Sequence, residues 1–175
     1  MRRFIPLCAP ILALLPAPAA AREVFVGVLA HGVDTPLTKP IGEHGTDYQI
    51  GVRGDPIVNA GIATISPYVL GSINSRGNTS FVSGGLALKL SAAGFFFRPA
   101  LGIAVHTGPG YRVGADDYRT DLGSRVLLEP EIGVGFRVLP RLTAEFQWTH
   151  LSHARIFSNQ NPGLDMMGMR LSLKL

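Results

Sequence analysis

The stretch Phe95-Phe96-Phe97-Arg98-Pro99-Ala100-Leu101-Gly102-Ile103-Ala104-Val105-His106 decides the fold class of this chain. Its odd-numbered positions, from Phe95 to Val105, are apolar and mostly large. Its even-numbered positions are mostly small or polar, and they include Arg98 and His106. Because successive side chains of a β-strand point to opposite faces, the stretch predicts a strand with one apolar and one polar face.

The same alternation recurs along the chain. Residues 81–91 and 125–138 each place apolar side chains on one face and small or charged side chains on the other. Together these segments predict eight strands, at about residues 23–31, 47–54, 62–74, 79–91, 94–107, 125–138, 141–153 and 164–175. Pro67, Pro99 and Pro130 fall inside them. Proline removes a ladder hydrogen bond, so each marks either a bulge or a break in its strand.

The segments between the predicted strands alternate in length. Residues 91–94 and 139–141 are tight turns, whereas residues 31–46 and 108–124 are long, polar and rich in Gly, Pro and Asp. Short turns at one end and long loops at the other are typical of an outer-membrane barrel with periplasmic termini. An eight-stranded barrel is filled by side chains. We expect its lumenal charges to form an ion network of Arg98, Arg125, Glu129, Glu131, Arg137 and Glu145.

The N-terminus has the three parts of a secretory signal peptide. Residues 1–3 are Met-Arg-Arg, residues 4–15 are mostly apolar, and residues 16–21 are Pro and Ala with an Ala-x-Ala arrangement. We expect a cleaved signal at residues 1–21 and a barrel domain at residues 22–175. The alternative, an N-terminal membrane anchor, conflicts with the short apolar run. Cys8 falls within the signal, so the mature chain is expected to use neither disulfides nor thiol chemistry.

The composition points to a membrane protein that is built from strands. The chain is 46% hydrophobic and only 16% charged, and it contains 21 glycines. Yet the mature sequence has no run of about 18 apolar residues, the length that a transmembrane helix needs. In lipid only helices and closed barrels pair every backbone group, so we expect a closed antiparallel barrel in a Gram-negative outer membrane. The net charge of +4 falls to +2 without Arg2 and Arg3, and no nucleic-acid partner is expected.

Three reactive side chains fall on the lipid-facing side of the last two predicted strands. His150 and Ser152 share the outward face of one strand, and Asp165 shares that of the next with Met167. Polar groups that face hydrocarbon are costly and usually functional. Residues two apart on a strand are roughly 7 Å apart, so the imidazole can reach the hydroxyl. A serine activated by a histidine that a carboxylate orients is the arrangement used for acyl transfer.

Other interpretations of these residues stay open at this point. The three side chains could lie on solvated strand ends, with Trp148 as an interfacial anchor. A small structural or adhesive barrel would show the same strands, although it would not require the outward cluster. The five histidines have no clustered ligand spacing, so neither a metal nor another cofactor is expected: His31, His44, His106, His150 and His153.

The end of the chain resembles a known enzyme family. The run His150-Leu151-Ser152-His153, then Asn161-Pro162-Gly163-Leu164-Asp165 and a closing amphipathic strand, is similar to the signature of the lipid A 3-O-deacylase (PagL-type, acyloxyacyl hydrolase) family. That signature is roughly His-x-Ser-Asn, a short loop, Asn-x-Gly-x-Glu and a last strand. The chain departs from it at His153, at Asp165, which is one methylene shorter than glutamate, and in a loop one residue longer.

The resemblance implies a fold, an activity and a set of roles. It implies a serine esterase that needs no cofactor and removes the 3-position acyl chain of lipid A in the bacterial outer membrane. His150, Ser152 and Asp165 would form the catalytic group, with Asn161 and His153 in oxyanion or supporting positions. Trp148, Met167 and Arg155 would contact the lipopolysaccharide substrate. A homodimer is the other partner that we consider.

Overall fold

The computed structural model describes residues 22–39, 42–109, 121–157 and 159–175, and the predicted signal peptide lies outside them. Every regular element within these ranges is a β-strand. The strands are β1 (Glu23–His31), β2 (Gly45–Arg53), β3 (Val58–Ala60), β4 (Ala63–Asn74), β5 (Phe81–Ala92), β6 (Phe95–His106), β7 (Val126–Leu139), β8 (Leu142–Leu151) and β9 (Leu164–Lys174). None of the described residues belongs to a helix that is long and apolar enough to cross a membrane.

Eight long strands form a closed antiparallel barrel, as the alternation predicts. Each pairs with its neighbour in the order β2-β1-β9-β8-β7-β6-β5-β4, and the pairing of β2 with β4 closes the ring. The sequence did not predict β3, which has three residues and forms a hairpin with β4 beyond the end of β2. Closure pairs the edge strands with each other, so the long strands leave no open edge in the membrane.

The two faces of each strand differ as expected. On β6, Phe95 is 67% exposed on the outer wall, whereas Arg98 is 2% exposed in the lumen. The three prolines lie inside continuous strands. The register of β5 with β6 is the same on both sides of Pro99, and that of β7 with β8 is the same on both sides of Pro130. Of the two possibilities, a bulge or a break, neither occurs at these two positions.

Buried ion pairs fill the lumen, although the residues that form them differ in part from the predicted set. Arg98 contacts Glu145 at 3.0 Å, and Arg170 contacts Glu131 at 2.7 Å. Arg53 of β2 joins them by contacting Glu145 from across the barrel at 3.3 Å. A buried charge needs such a partner, since it has lost its contact with water.

The prediction was wrong for two arginines at the ends of β7. Arg125 precedes the strand, is exposed and donates to the carbonyl oxygen of Gly108. Arg137 lies next to the turn into β8 and is also exposed. Both follow the lumenal alternation, but they lie near the rims, where water reaches them. Glu129 is buried, as expected, and accepts a hydrogen bond from the Tyr68 hydroxyl.

The connections place the polar cluster at one end of the barrel. Tight turns join β5 to β6 and β7 to β8, and the first uses left-handed conformations at Ala93 (φ 50°) and Gly94 (φ 86°). The opposite end carries the longer connections, including residues 32–44 and 152–163. Both of these loops adjoin the end of β8 and the start of β9, so they lie beside His150 and Asp165.

We expect Arg170→Met to destabilise the barrel by about 3–5 kcal/mol, because it leaves the buried Glu131 carboxylate without its cation. The single tryptophan, Trp148, reports unfolding in urea by its fluorescence. Arg137→Met is the matched control, since that arginine is exposed and its loss should shift the midpoint little. Equal stability of the two variants would contradict the importance of the lumenal pairs.

Candidate active site

His150 and Asp165 form a hydrogen-bonded pair on the outer wall of the barrel. They are directly opposite each other in the β8–β9 register. His150 Nδ1 lies 2.7 Å from Asp165 Oδ1. Although both belong to the outward face, His150 is only 8% exposed and Asp165 is 0% exposed. The sequence placed both side chains on the outward face of neighbouring strands, and the structure shows them paired there and buried.

Residues 32–39, which follow β1, cover the Asp165 side of this pair. Thr35 Oγ1 donates a hydrogen bond to Asp165 Oδ2. The backbone N–H of Val33 donates to the carbonyl oxygen of Asp165 at 3.0 Å, and that of Lys39 donates to the carbonyl oxygen of Pro162 at 2.9 Å. Residues 32–39 therefore lie over the start of β9 and help to bury the Asp165 carboxylate.

Trp148 provides a second donor to the carboxylate. Its Nε1–H donates to Asp165 Oδ1 at 3.1 Å. Its ring also stacks against that of His150, with ring centroids 5.9 Å apart and planes inclined by 23°. The sequence suggested Trp148 as a substrate contact, and the structure adds a role in fixing both members of the pair. Met167 lies opposite Trp148 in the β8–β9 register and is half-buried.

Ser152 follows the last residue of β8 and shares the outward side with His150. Its backbone is fixed by two hydrogen bonds with Leu128 of β7, at 2.7 and 3.1 Å. The side chain is partly exposed, in contrast to Asp165. Within the described part of the chain, no hydrogen bond joins the Ser152 hydroxyl to His150. The hydroxyl thus belongs to the same strand face as the imidazole, two residues further along the chain, and Ser152 is partly exposed.

His153 and Asn161 organise the loop that follows Ser152. The backbone N–H of His153 donates to Asn161 Oδ1 at 3.1 Å, and His153 Nε2 lies 2.8 Å from the carbonyl oxygen of Gln160. The imidazole is completely buried and packs against Phe157, with ring centroids 5.9 Å apart. The two residues predicted as supporting are thus joined across the loop. The His153 ring also contacts the loop backbone, at the carbonyl oxygen of Gln160.

Arg155 lies on a strained turn within this loop. Ala154 and Arg155 have φ angles of 50° and 61°, and the N–H of Ile156 closes the turn on the carbonyl oxygen of His153 at 2.8 Å. Left-handed conformations are uncommon for residues other than glycine and often occur at functional sites. The turn presents the Arg155 side chain to the outside, where it is exposed.

Two residues near His150 were missed by the sequence analysis. Pro130 of β7 is opposite His150 in register, between the pairs Glu131–Thr149 and Leu128–Ser152. It has no N–H to donate to the backbone of His150. Thr35 lies 130 residues before Asp165, and no motif or spacing connects the two. Across the described residues, no group of three or more His, Cys, Asp or Glu side chains is placed to hold a metal ion.

The closed barrel is a fold of outer-membrane proteins, and the buried His150–Asp165 pair with Ser152 nearby in the chain supplies the residue types that a serine ester hydrolase uses. A family model described as lipid A 3-O-deacylase (PagL) matches residues 43–174. The chain therefore belongs to the lipid A 3-O-deacylase (PagL) family. Its activity is hydrolysis of a carboxylic ester of lipid A, and its location is the outer membrane. A non-catalytic structural or adhesive barrel is not favoured.

Solved structures agree on the fold. The crystal structure of the outer-membrane enzyme PagL is similar with a TM-score of 0.62 and 16% identity, covering 87% of this chain and 99% of that one. The crystal structure of Neisserial surface protein A is similar with a TM-score of 0.54 and 10% identity, covering 87% and 96%. At these identities the likeness concerns the fold alone. No curated protein sequence matches the chain.

We expect Gly163→Ala to lower the deacylation rate at least about tenfold, on the order of 1.4 kcal/mol. Gly163 has a φ of 74°, and an added Cβ would lie 2.9 Å from His150 Cε1. The substitution therefore combines backbone strain with displacement of the imidazole. Initial rates of fatty acid release from lipid A in mixed micelles measure the effect.

Gly77→Ala is the matched control for this variant. Gly77 has a nearly equal φ of 72°, but its added Cβ would meet no atom within 4 Å. It should show the strain without the loss of activity. Equal rates for the two variants would mean that contact with His150 does not matter.

Proposed function

We propose that the chain removes the ester-linked 3-position acyl chain of lipid A as a serine esterase, with Ser152 as nucleophile, His150 as general base and Asp165 as the carboxylate that orients it. One observation carries this assignment. The 2.7 Å pair of His150 and Asp165 is buried on the outer wall, two residues from a partly exposed serine. A buried imidazole and carboxylate on such a wall are costly, and acyl transfer gives them a use.

The geometry supports a two-step reaction. Since Asp165 contacts His150 at Nδ1, Nε2 is the nitrogen that is left to accept the Ser152 proton. The Ser152 oxygen attacks the ester carbonyl, and the tetrahedral intermediate expels the 3-hydroxyl oxygen of lipid A, which takes the proton from His150. Water, deprotonated by His150, then attacks the acyl-enzyme. This releases a fatty acid and restores Ser152.

Asn161 supports the negative oxygen of the intermediate in this proposal. Its Oδ1 accepts the N–H of His153, and this bond orients the amide so that its NH₂ group remains to donate. A preorganised donor aimed at the developing charge contributes strongly to catalysis. His153 contributes indirectly, because its ring holds the carbonyl of Gln160 and thereby the loop. His153 stands where the family signature has asparagine, and this contact with the loop is compatible with a supporting role.

The position of the site suits a substrate that is already in the membrane. Acyl chains beside the outer wall would lie along Met167 and the exposed Phe146, with Trp148 next to the scissile ester. The exposed guanidinium of Arg155 would contact a lipid A phosphate above them. A homodimer, considered from the sequence, gains no support from the family or the fold and stays a prediction.

We expect Ser152→Ala to abolish deacylation while the barrel still folds, because the variant lacks the attacking oxygen. Mass spectrometry of lipid A from cells that express the variant measures loss of the acyl chain, and heat-modifiable mobility in gels reports folding. Wild-type acyl loss by a folded Ser152→Ala variant would mean that another group is the nucleophile.

We expect Asp165→Asn to slow deacylation by a factor on the order of 10⁴, as is typical when the orienting carboxylate of a triad becomes an amide. Asp165→Glu should keep part of the activity, since it retains the charge with one more methylene. The measurement is the initial rate of refolded, purified variants in lipid A micelles. If the asparagine variant is fully active, His150 is oriented by another group.

A further inference from the structure

We propose that Thr35, in the loop between β1 and β2, is a positioning residue that holds the Asp165 carboxylate in place for His150. The inference rests on the proposed function and adds a residue to it from a distant part of the chain. The family match begins at residue 43, so Thr35 lies outside the matched range.

The hydrogen bonds of Asp165 give Thr35 a distinct task. Oδ1 accepts from His150 Nδ1 at 2.7 Å and from Trp148 Nε1 at 3.1 Å. Oδ2 accepts from the Thr35 hydroxyl. Asp165 is 0% exposed, so water does not replace a missing donor. Without Thr35, a buried carboxylate oxygen would lack its donor, and the carboxylate would be free to turn about its last bond.

The loop directs the Thr35 hydroxyl towards the carboxylate. The N–H of Leu37 donates to Thr35 Oγ1 at 3.1 Å. The hydroxyl therefore accepts from the loop backbone and uses its own hydrogen for Asp165. Close by, the N–H of Val33 is bonded to the carbonyl oxygen of Asp165 at 3.0 Å, so the loop binds both the backbone and the side chain of this residue.

A second anchor fixes the other end of the same loop in the lumen. The Glu43 carboxylate accepts from the Thr79 N–H at 2.9 Å and the Thr79 hydroxyl at 3.1 Å, and it lies 3.1 Å from His31 Nε2. Burial opposes ionisation of Glu43, but the bonds with His31 and Thr79 outweigh it and hold its pKa below the usual value. The same loop is thus anchored on the outer wall at Thr35 and in the lumen at Glu43.

The short side chain of Asp165 gives such support a physical reason. Aspartate has one methylene fewer than the glutamate of the family signature, so its carboxylate stays close to the β9 backbone. The loop comes down to that carboxylate at Thr35, and Trp148 reaches it from β8. Two neutral donors therefore complement the single contact that Asp165 makes with the imidazole.

Thr35→Val tests the proposal, because it keeps the shape of the side chain and removes its hydroxyl. We expect kcat to fall roughly tenfold with KM changed less than about twofold, since the bond acts on the base and not on the lipid. Thr35→Ser restores the hydroxyl and should recover activity to within about threefold of wild type. Rates are measured with purified lipid A in detergent micelles, after gel mobility has shown that each variant is folded.

Two further comparisons separate positioning from a general effect on the loop. Thr38→Val removes hydrogen bonds that stay within the loop, with the N–H of Thr35 at 3.3 Å and its carbonyl oxygen at 3.5 Å, so it should change kcat little. In an Asp165→Asn background, Thr35→Val should add little further loss, because its target has already been altered. If Thr35→Val lowers kcat by the same factor in that background as in the wild type, the proposal is overturned.

Other outcomes also overturn it without touching the proposed function. Full kcat in Thr35→Val, or no recovery in Thr35→Ser, would contradict the role of the hydroxyl while Ser152→Ala stays inactive. An active, folded Ser152→Ala variant would instead contradict the proposed function itself. The two failures are therefore distinguishable in one set of variants.

Discussion

In the hydrocarbon of a bilayer no water is present to satisfy backbone N–H and C=O groups, so the chain must pair them itself. The eight long strands do this by closing a ring, with β2 and β4 as the last pair. Closure gives the barrel wall an inner face and an outer face. In each strand alternate side chains face either the lumen or the membrane, and a polar side chain on the outer wall requires cover from another part of the chain.

The site depends on the register of two neighbouring strands. His150 and Asp165 meet because β8 and β9 pair with these residues opposite each other. A slip by one residue would turn Asp165 into the lumen. Lumenal charges oppose such a slip: Glu145 of β8 lies opposite Arg170 of β9, and Arg170 is also held by Glu131 of β7. The ion pairs inside the barrel therefore help to align the reactive pair outside it.

The sequence predicts those parts of the molecule that follow from local alternation. The eight strands, their faces and the adjacency of His150 and Asp165 follow from a period of two and from the motif at the end of the chain. The partners within the lumen do not, since Arg53 and Glu145 are separated by 92 residues and meet across the barrel. Alternation also assigns Arg125 and Arg137 to the lumen, but it carries no information on how far the buried section extends.

Thr35 illustrates the same limit at the site. It lies in a polar loop whose composition resembles that of any solvated connection. Its contact with Asp165 exists because β1 is the neighbour of β9 in the closed ring, so the loop after β1 begins beside the start of β9. This proximity is a property of the topology. No pattern within residues 32–39 indicates it, and only the three-dimensional arrangement shows which strand lies beneath the loop.

The burial of the pair resolves a conflict between the membrane and the proposed chemistry. A carboxylate facing acyl chains is unfavourable, yet the substrate ester is presented from the membrane side. On β9 the exposure changes within four residues, from 0% at Asp165 to 52% at Met169. The loop and Trp148 supply donors to the carboxylate, whereas Ser152, just after the end of β8, stays partly exposed. The charged end of the proposed catalytic group is thus enclosed by protein, and only its nucleophilic end meets the lipid.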